Sequence, residues 1–305
     1  ITDTGAMATG TNTLDQEGAA LGRPVAGQNA YHFPRYFPHG RSIYTVISPR
    51  ARGLTIGVNL NPDRFCNFHC VYCEVTGSKP EEPLPCDIEG TSNDLERVLT
   101  MAFDGTLASL PCYSSVPEDL LRLREVTLSG DGEPTCCPNF AEMVAAAVRI
   151  RAIGKFPFFK IVLVTNASEL NRPAVEAGLK LLTHQDEIWV KLDAGTQNWL
   201  EHINRTTVPL KTIIANIARV GRERPVVVQS LFPMFQSTPP PRPEVDAYLE
   251  RLQELKNLGT QISLVQIYSA HRPTAHIDCG HLPLRLLSQI AREVRDKTGL
   301  RAEVF

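Results

Sequence analysis

The sequence predicts an α/β fold: a partial (β/α)6 TIM-like barrel with parallel strands, preceded by an N-terminal extension and followed by a C-terminal helix. From residue 53 onward, short apolar segments rich in β-branched residues alternate with longer segments of helical periodicity. This alternation is typical of a buried parallel sheet with right-handed crossovers. Polar motifs follow the apolar segments, as expected where chemistry lies at the carboxyl ends of strands. No internal repeat or linker divides residues 53–305, so we expect one core domain.

Six segments have the length and composition of buried strands. Each is short, apolar and rich in Val, Ile or Leu, and helical or turn-forming segments lie on both sides of it. The predicted strands are residues 53–60, 125–129, 160–165, 187–193, 225–232 and 261–268. A strand-like piece, residues 301–305, ends the chain.

Helical periodicity fills the stretches between the strands. Asn93, Asp94 and Ser168 are expected to cap helices, because short polar side chains accept hydrogen bonds from the free N–H groups of a first turn. Pro209 is expected to break the fourth helical segment. The predicted helices are residues 92–109, 138–153, 168–183, 196–220, 243–258 and 284–297.

Composition narrows the class of protein. The chain has 305 residues, of which 43% are hydrophobic, enough for one large α/β domain. Its formal net charge of −2 argues against a general polyanion binder. No apolar run approaches the roughly 18 residues that span a bilayer, and no signal peptide opens the chain. We therefore expect a cytoplasmic protein without a membrane segment, whose clustered cysteines are ligands and not disulfides.

The region before the first predicted strand has an unusual charge distribution. Residues 1–6 are interpreted as an expression remnant and residues 7–52 as an N-terminal extension. Residues 18–62 contain no Asp or Glu but five arginines, and aromatic residues alternate with arginines over residues 31–52. Two interpretations stay open: a basic lip that contacts an anionic substrate or RNA, and a loop whose aromatics cover the core while its arginines are solvated. The arginines are Arg23, Arg35, Arg41, Arg50 and Arg52.

The spacing of three cysteines predicts an iron–sulfur or metal site. Cys66, Cys70 and Cys73 form a C-x3-C-x2-C motif after the first predicted strand. A tetrahedral zinc site or a four-cysteine cluster needs a fourth ligand, but the next cysteine is Cys86. A cubane cluster held by three cysteines leaves one iron open to bind and reduce a small molecule. The alternative interpretation is a zinc knuckle.

Polar residues recur at the ends of the later strands, so they are expected to meet at one edge of the sheet. Glycines in the second of these motifs allow the backbone to approach a ligand closely. The alternatives are structural: an ordinary turn, a helix cap, an ion pair and buried core positions. The residues are Gly130, Asp131, Gly132 and Glu133 after the second strand, Asn166 after the third, Lys191 and Asp193 ending the fourth, and Gln229 and Gln266 late in the fifth and sixth.

These motifs together resemble the radical S-adenosylmethionine (SAM) superfamily over roughly residues 53–270. The family's cluster loop has the same cysteine spacing, with an aromatic residue where Tyr72 stands. Its GGEP turn is similar to Gly132-Glu133-Pro134, although Asp131 replaces the usual first glycine. Residues 57–62, 130–135 and 266–273 also resemble a branch near the wyosine-forming tRNA enzymes. Those enzymes carry further cysteines upstream, and this chain has none before Cys66.

The resemblance implies an oxygen-sensitive [4Fe–4S] cluster on Cys66, Cys70 and Cys73, with SAM on the fourth iron. It implies reductive cleavage of SAM to methionine and a 5′-deoxyadenosyl radical, which abstracts hydrogen from a substrate. A low-potential donor such as a flavodoxin or ferredoxin would supply the electron. The remaining residues expected to bind SAM are Tyr72, Gly130, Asp131, Gly132, Glu133, Asn166, Lys191, Asp193, Gln229 and Gln266.

Three functions follow from these observations. The first is a radical SAM enzyme that acts on an unidentified small molecule. The second is a radical SAM enzyme that modifies a nucleoside or RNA, contacted through residues 31–52. The third is a non-catalytic iron–sulfur or zinc scaffold that senses redox state. Five other cysteines are expected to be buried free thiols: Cys86, Cys112, Cys136, Cys137 and Cys279.

Overall fold

The computed structural model describes residues 35–75 and 80–305. The interpretations made for residues 1–34, including Arg23 and the first aromatics of the basic stretch, therefore lie outside the described residues. No helix in the described part of the chain is long and apolar enough to cross a bilayer.

A central sheet of nine strands organises the described residues, in the order β1-β2-β3-β4-β5-β6-β7-β9-β11. Strands β3 to β7, β9 and β11 are parallel, whereas β1 and β2 pair antiparallel at one edge. Strands β8 and β10 form a separate antiparallel pair. The strands are β1 Tyr36–His39, β2 Ile43–Ser48, β3 Gly53–Val58, β4 Leu123–Leu128, β5 Lys160–Thr165, β6 Glu187–Lys191, β7 Val226–Leu231, β8 Pro233–Phe235, β9 Ile262–Tyr268, β10 Cys279–His281 and β11 Ala302–Val304.

Helices connect the parallel strands, as in a βα barrel. The α-helices are α1 Ile88–Phe103, α2 Glu118–Leu121, α3 Phe140–Ala152, α4 Pro173–Leu179, α5 Gln197–Asn204, α6 Leu210–Glu223, α7 Arg242–Asn257 and α8 Leu284–Thr298. The predicted fold class is confirmed, and the six predicted parallel strands correspond to β3, β4, β5, β6, β7 and β9. The terminal strand-like piece is β11.

Several predicted helix boundaries were wrong, each for a local reason. Helix α1 is capped by Asp87, whose carboxylate accepts from the Gly90 N–H at 3.0 Å, and not by Asn93 or Asp94. Ser168 caps no helix, because α4 begins at Pro173 after a turn. The predicted break in the fourth helix is confirmed: Arg205 ends α5 in the left-handed region, and Pro209 precedes α6. Strands β1 and β2 were not predicted.

Alternating side chains divide the sheet into an outer and an inner face. Val190, Val228 and Val265 are buried against the helices in the main core. Their neighbours Trp189 and Val227, with Val162, form a second apolar cluster. Because successive residues of a strand point to opposite faces, this second cluster fills the inside of the curved sheet.

The sheet curves until its two edges contact each other through side chains. Arg50 and Arg52 lie in the turn after β2, at one edge. The Arg50 guanidinium carbon is 4.7 Å from the centre of the Tyr268 ring, at the end of β9. Arg52 Nη2 is 3.9 Å from Glu303 Oε2 in β11. The sheet is therefore a partial barrel, and side chains bridge the seam between its two edges.

A buried ion pair fixes the amino ends of β5 and β6. Arg151 of α3 holds both carboxylate oxygens of Asp186, at 2.5 and 3.0 Å. The Asp186 carboxylate also accepts from the N–H groups of Ile161 and Thr183, at 2.8 and 2.7 Å. Burial alone would raise the pKa of Asp186, but these donors lower it below its usual range. Asp186 therefore stabilises the fold in its charged form.

We expect Asp186→Asn to lower the free energy of unfolding by about 3–5 kcal/mol, because it leaves Arg151 as a buried, uncompensated charge. Asp246→Asn, which removes exposed ion pairs with Arg242 and Lys297, is the control and should have a much smaller effect. Urea unfolding at several pH values measures both. The loss of unfolding free energy caused by Asp186→Asn should reach its full size above about pH 4, the pKa of an Asp in the unfolded chain. It should become smaller as the pH falls and the wild-type carboxyl group protonates. A deficit independent of pH would contradict this account.

Candidate cluster and cofactor site

The loop that carries the three cysteines follows β3 and is clamped by the end of α5. The His69 N–H donates to the carbonyl of Asn204 at 3.0 Å, and the Val71 N–H donates to the carbonyl of Ile203 at 2.8 Å. These acceptors are among the last carbonyls of α5, which have no partner within their own helix. The helix end thus gives the cysteine loop a fixed backbone path.

The three cysteines follow β3 at the carboxyl end of the sheet, and each is partly buried. Cys66 Sγ accepts from the Phe68 N–H at 3.4 Å, and Cys70 Sγ accepts from Asn204 Nδ2 at 3.3 Å. The Cys73 N–H donates to the Cys70 carbonyl at 3.0 Å. Loss of water around Cys70 raises the pKa of its thiol to about 11, and nearby Asp193 adds to the rise. Cys70 is therefore a neutral thiol near pH 7 unless a cation lies at its sulfur.

The thiols do not converge on one point. Within residues 35–75 and 80–305, no three His, Cys, Asp or Glu side chains are grouped closely enough to hold a single metal ion. A zinc ion requires ligands that meet at about 2.0–2.3 Å from one centre. A cubane cluster requires a wider arrangement, because each thiolate binds a different iron.

The predicted glycine turn packs directly against the cysteine loop. The Glu133 N–H donates to the carbonyl of Phe65, the residue before Cys66, at 3.0 Å. A Cβ added at Gly132 would overlap that carbonyl oxygen, and one at Gly130 would overlap the side-chain oxygen of Asn59. The turn therefore needs glycine at both positions to bring its backbone this close.

The Glu133 carboxylate is occupied by hydrogen bonds within the protein. One oxygen accepts from the hydroxyls of Thr135 and Thr165, at 2.5 and 2.6 Å, and from the Thr135 N–H at 3.1 Å. The other accepts from the Asn166 N–H at 2.8 Å. Burial raises the pKa of Glu133, although these donors oppose the rise. The side chain ties the carboxyl end of β4 to that of β5.

Asp131, which replaces the family's usual glycine, connects the turn to the N-terminal arginines. Its buried carboxylate pairs with Arg35 at 2.9 Å and with Arg41 at 3.6 Å. It also accepts from Asn59 Nδ2 at 3.2 Å, while its own N–H donates to Asn59 Oδ1 at 3.0 Å. Two arginines of the predicted basic lip are therefore held by this carboxylate.

Asn166 links β5 to the cysteine loop. Its Nδ2 donates at 2.8 Å to Oδ1 of Asn67, a residue that lies between Cys66 and Cys70 in the sequence. Its Oδ1 accepts from the N–H and the hydroxyl of Ser168, at 3.0 and 2.7 Å. The side chain thus serves as a turn residue and as an anchor of the loop.

Asp193 is the centre of a second polar group beside Cys70. One carboxylate oxygen accepts hydrogen bonds from the Tyr72 hydroxyl and from Asn204 Nδ2, the latter at 3.1 Å. The other accepts from the Leu231 N–H at 2.8 Å and pairs with Lys191 Nζ at 3.4 Å. Burial alone would lower the pKa of Lys191, but Asp193 raises it overall, so the lysine stays charged.

Gln229 and Gln266 lie deeper, inside the barrel. They are buried, and Gln229 Nε2 donates to Gln266 Oε1 at 2.8 Å. Strand register places Lys191, Gln229 and Gln266 in one row across β6, β7 and β9. Since register partners point to the same face, these side chains form a polar layer above the inner apolar cluster.

The structure thus brings the predicted residues to one end of the barrel. The glycine turn with Asn166 and the polar group around Asp193 flank the cysteine loop, and the polar layer that contains Gln229 and Gln266 lies beneath it. Sequence analysis missed the asparagines that hold them together. Asn204, at the end of α5, is buried and contacts Cys70, Tyr72 and Asp193. The available signal was the density of amides around the motif: Asn59, Asn61, Asn67 and Asn204.

The five other cysteines form no disulfide. Four are buried, as predicted, whereas Cys279 is partly exposed. The buried ones are Cys86, Cys112, Cys136 and Cys137.

Comparison with known proteins supports the resemblance. No protein-family model matches the chain. The chain is 27% identical to the UPF0026 protein of Synechocystis sp. over 230 residues, 73% of this chain and 74% of that protein. It is 28% identical to the UPF0026 protein of Helicobacter pylori strain 26695 over 167 residues, 53% of this chain and 46% of that protein. The structure of TYW1 with a lysine–pyruvate adduct bound shares the fold, with a TM-score of 0.51, 13% identity and 84% of each chain covered. The chain is therefore similar in sequence to UPF0026 proteins and shares its fold with TYW1.

We expect Gly132→Ala to prevent the cysteine loop from reaching its position, because the new methyl group overlaps the Phe65 carbonyl oxygen. The free energy of unfolding should fall by about 1–3 kcal/mol, and iron content after anaerobic reconstitution should fall with it. Gly280→Ala is the matched control, since nothing lies within 4 Å of a Cβ there. Normal iron loading and stability in Gly132→Ala would refute the close packing of turn and loop.

Proposed function

We propose that this chain is a radical SAM enzyme that acts on an unidentified organic substrate. One observation carries the proposal: polar groups from the ends of β4, β5 and β6, together with the end of α5, converge on the three-cysteine loop. A non-catalytic scaffold explains the cysteines but gives no role to the buried polar layer within the barrel. The zinc alternative needs a fourth ligand, and the next cysteine along the chain is Cys86.

Cys66, Cys70 and Cys73 would hold a [4Fe–4S] cluster. When bound, the cluster supplies the electron that cleaves SAM into methionine and a 5′-deoxyadenosyl radical. The protein's part is to hold and tune the site. Asn204 Nδ2 donates to Cys70 Sγ at 3.3 Å, and hydrogen bonds to cluster sulfurs raise the reduction potential by stabilising negative charge there. A flavodoxin or ferredoxin is the proposed electron donor.

The turn of residues 130–133 and the Lys191–Asp193 pair would bind SAM from two sides. Backbone carbonyls of the glycine turn suit the SAM ammonium, since the Glu133 carboxylate is occupied by the protein's own donors. Lys191 suits the SAM carboxylate, and Asp193 the ribose or the substrate. Asn166, Gln229 and Gln266 offer amides toward ribose and adenine, and Tyr72 closes the site beside Cys70.

Two buried polar atoms at the site support a bound ligand. Asn61 Nδ2 lies beside the glycine turn, and Asn204 Oδ1 lies beside Cys70. Neither has a hydrogen-bond partner among the described residues. A buried group left without a partner costs about 1–3 kcal/mol. A cofactor that contacts these two atoms would remove that cost.

A cover segment, residues 269–283, would exclude water from the reaction. The Ala275 N–H donates to the Cys73 carbonyl at 2.7 Å, and Arg272 pairs with Glu74 at 3.2 Å. Apolar residues of the cysteine loop, Val71 and Tyr72, pack in one cluster with Phe235, Ala270 and Cys279. Such exclusion protects a reactive intermediate from side reactions.

Between the two substrate classes, the structure favours the small molecule. Nucleic-acid recognition needs cations that are available to phosphates. Of the described arginines in the basic stretch, Arg35 and Arg41 are engaged by Asp131 and Arg52 pairs with Glu303. Arg50 alone is left, which is too few cations for a nucleic-acid backbone. A substrate held inside the barrel, next to the polar layer, uses the groups that the fold has gathered there.

Cys70→Ala should abolish the cluster and the reaction, because it removes one of three iron ligands. After anaerobic reconstitution, the wild type should contain about four irons and four sulfides, absorb broadly in the visible region and form 5′-deoxyadenosine with SAM and dithionite. The variant should lose all three properties.

Cys112→Ala is the control, because this buried thiol packs in a separate apolar cluster away from the loop. It should keep iron, sulfide and product. Continued formation of 5′-deoxyadenosine by Cys70→Ala would refute the proposed function. So would a wild type that binds about one zinc and no sulfide.

A further inference from the structure

Arg50 has no ion-pair partner among residues 35–75 and 80–305. It follows β2 and stacks on the Tyr268 ring, with its guanidinium carbon 4.7 Å from the ring centre. Its Nε is buried and has no hydrogen-bond partner among the described residues. Arg35, by contrast, pairs with a buried carboxylate at 2.9 Å.

The neighbouring carboxylates are already engaged by other cations. Asp193 pairs with Lys191 at 3.4 Å, and Lys191 Nζ donates to the Tyr268 hydroxyl at 3.0 Å. Glu303, across the seam of the barrel, pairs with Arg52 at 3.9 Å and also with Arg301. Among the described residues, the charged side chains grouped around Tyr268, which are Arg50, Lys191 and Asp193, therefore carry one formal positive charge in excess.

Burying part of an unpaired cation costs free energy that stacking on one tyrosine offsets only in part. The cost is explained if an anion completes the site. A guanidinium presents N–H groups as a flat fork that matches the two oxygens of a carboxylate or phosphate. Arg50 Nε is one of the donors in that fork.

We propose that Arg50 binds a carboxylate or phosphate group of the substrate, so that the substrate of this enzyme is an anion. The assignment rests on the proposed function. Arg50 and Lys191 both contact Tyr268, and Lys191 Nζ is also 5.0 Å from the centre of the Tyr72 ring in the cysteine loop. An anion on Arg50 therefore lies one tyrosine away from the Lys191–Asp193 pair assigned to SAM, and this anchors the substrate beside the cofactor.

The test measures binding of inorganic phosphate and of acetate to the anaerobically reconstituted protein by calorimetry, without SAM. Wild type should bind at least one of these probes. Arg50→Met, which keeps an apolar side chain over Tyr268, should weaken that binding about tenfold or more, because a charge-assisted hydrogen bond is lost. Arg50→Lys keeps the charge without the fork and should lie in between. If Arg50→Met does not fold, anion binding by Arg50→Lys is compared with that of wild type instead.

Arg52→Gln is the matched control, because this arginine lies two residues away with a side chain that is 78% exposed. It should bind both probes as wild type does. Equal binding by wild type and Arg50→Met, or no binding by wild type, would overturn the proposal.

Measurements with SAM separate this proposal from the proposed function. A parallel loss of SAM binding in Arg50→Met would place Arg50 in the cofactor site and overturn its assignment to the substrate. Wild-type protein that binds an anion through Arg50 but forms no 5′-deoxyadenosine would uphold the anion site and refute the proposed function.

Discussion

The site depends on hydrogen bonds that hold an irregular loop in one conformation. The described residues between β3 and α1 form no helix or strand, so no backbone ladder of their own positions Cys66, Cys70 and Cys73. Three neighbours supply the missing constraint: the last carbonyls of α5, the glycine turn after β4, and the amide of Asn166 after β5. Any change that moves one of these strand or helix ends moves the thiols.

This constraint explains why several residues expected to bind SAM are used within the protein. The Glu133 carboxylate has four donors, and Asn166 joins the loop to β5. Asp131 connects the glycine turn to Arg35. These contacts make the turn rigid before a ligand arrives, and a preorganised site loses less entropy on binding. In the proposed function, the backbone of the turn and the side chains around Asp193 would then recognise the cofactor.

The sequence predicted the parallel sheet and the end of it that bears the site, because apolar periodicity and polar strand ends are local signals. It did not predict β1 and β2, which extend the sheet by antiparallel pairing of β1 with β2 and of β2 with β3. Nor did it predict Asn204, which reaches Cys70 only because α5 folds back over the loop. Arg50 was noted for its charge, but its contact with Tyr268 depends on the curvature of the whole sheet. Contacts between distant segments leave no periodic signal in the sequence.

The most direct test of the account asks whether SAM occupies an open iron of a cluster held by these three cysteines. Electron paramagnetic resonance of the reconstituted, dithionite-reduced protein, recorded before and after SAM is added, answers this. The account predicts the signal of a reduced [4Fe–4S] cluster whose g-values shift when SAM binds. A cluster signal that SAM leaves unchanged, or a protein that holds no reducible cluster, would contradict it.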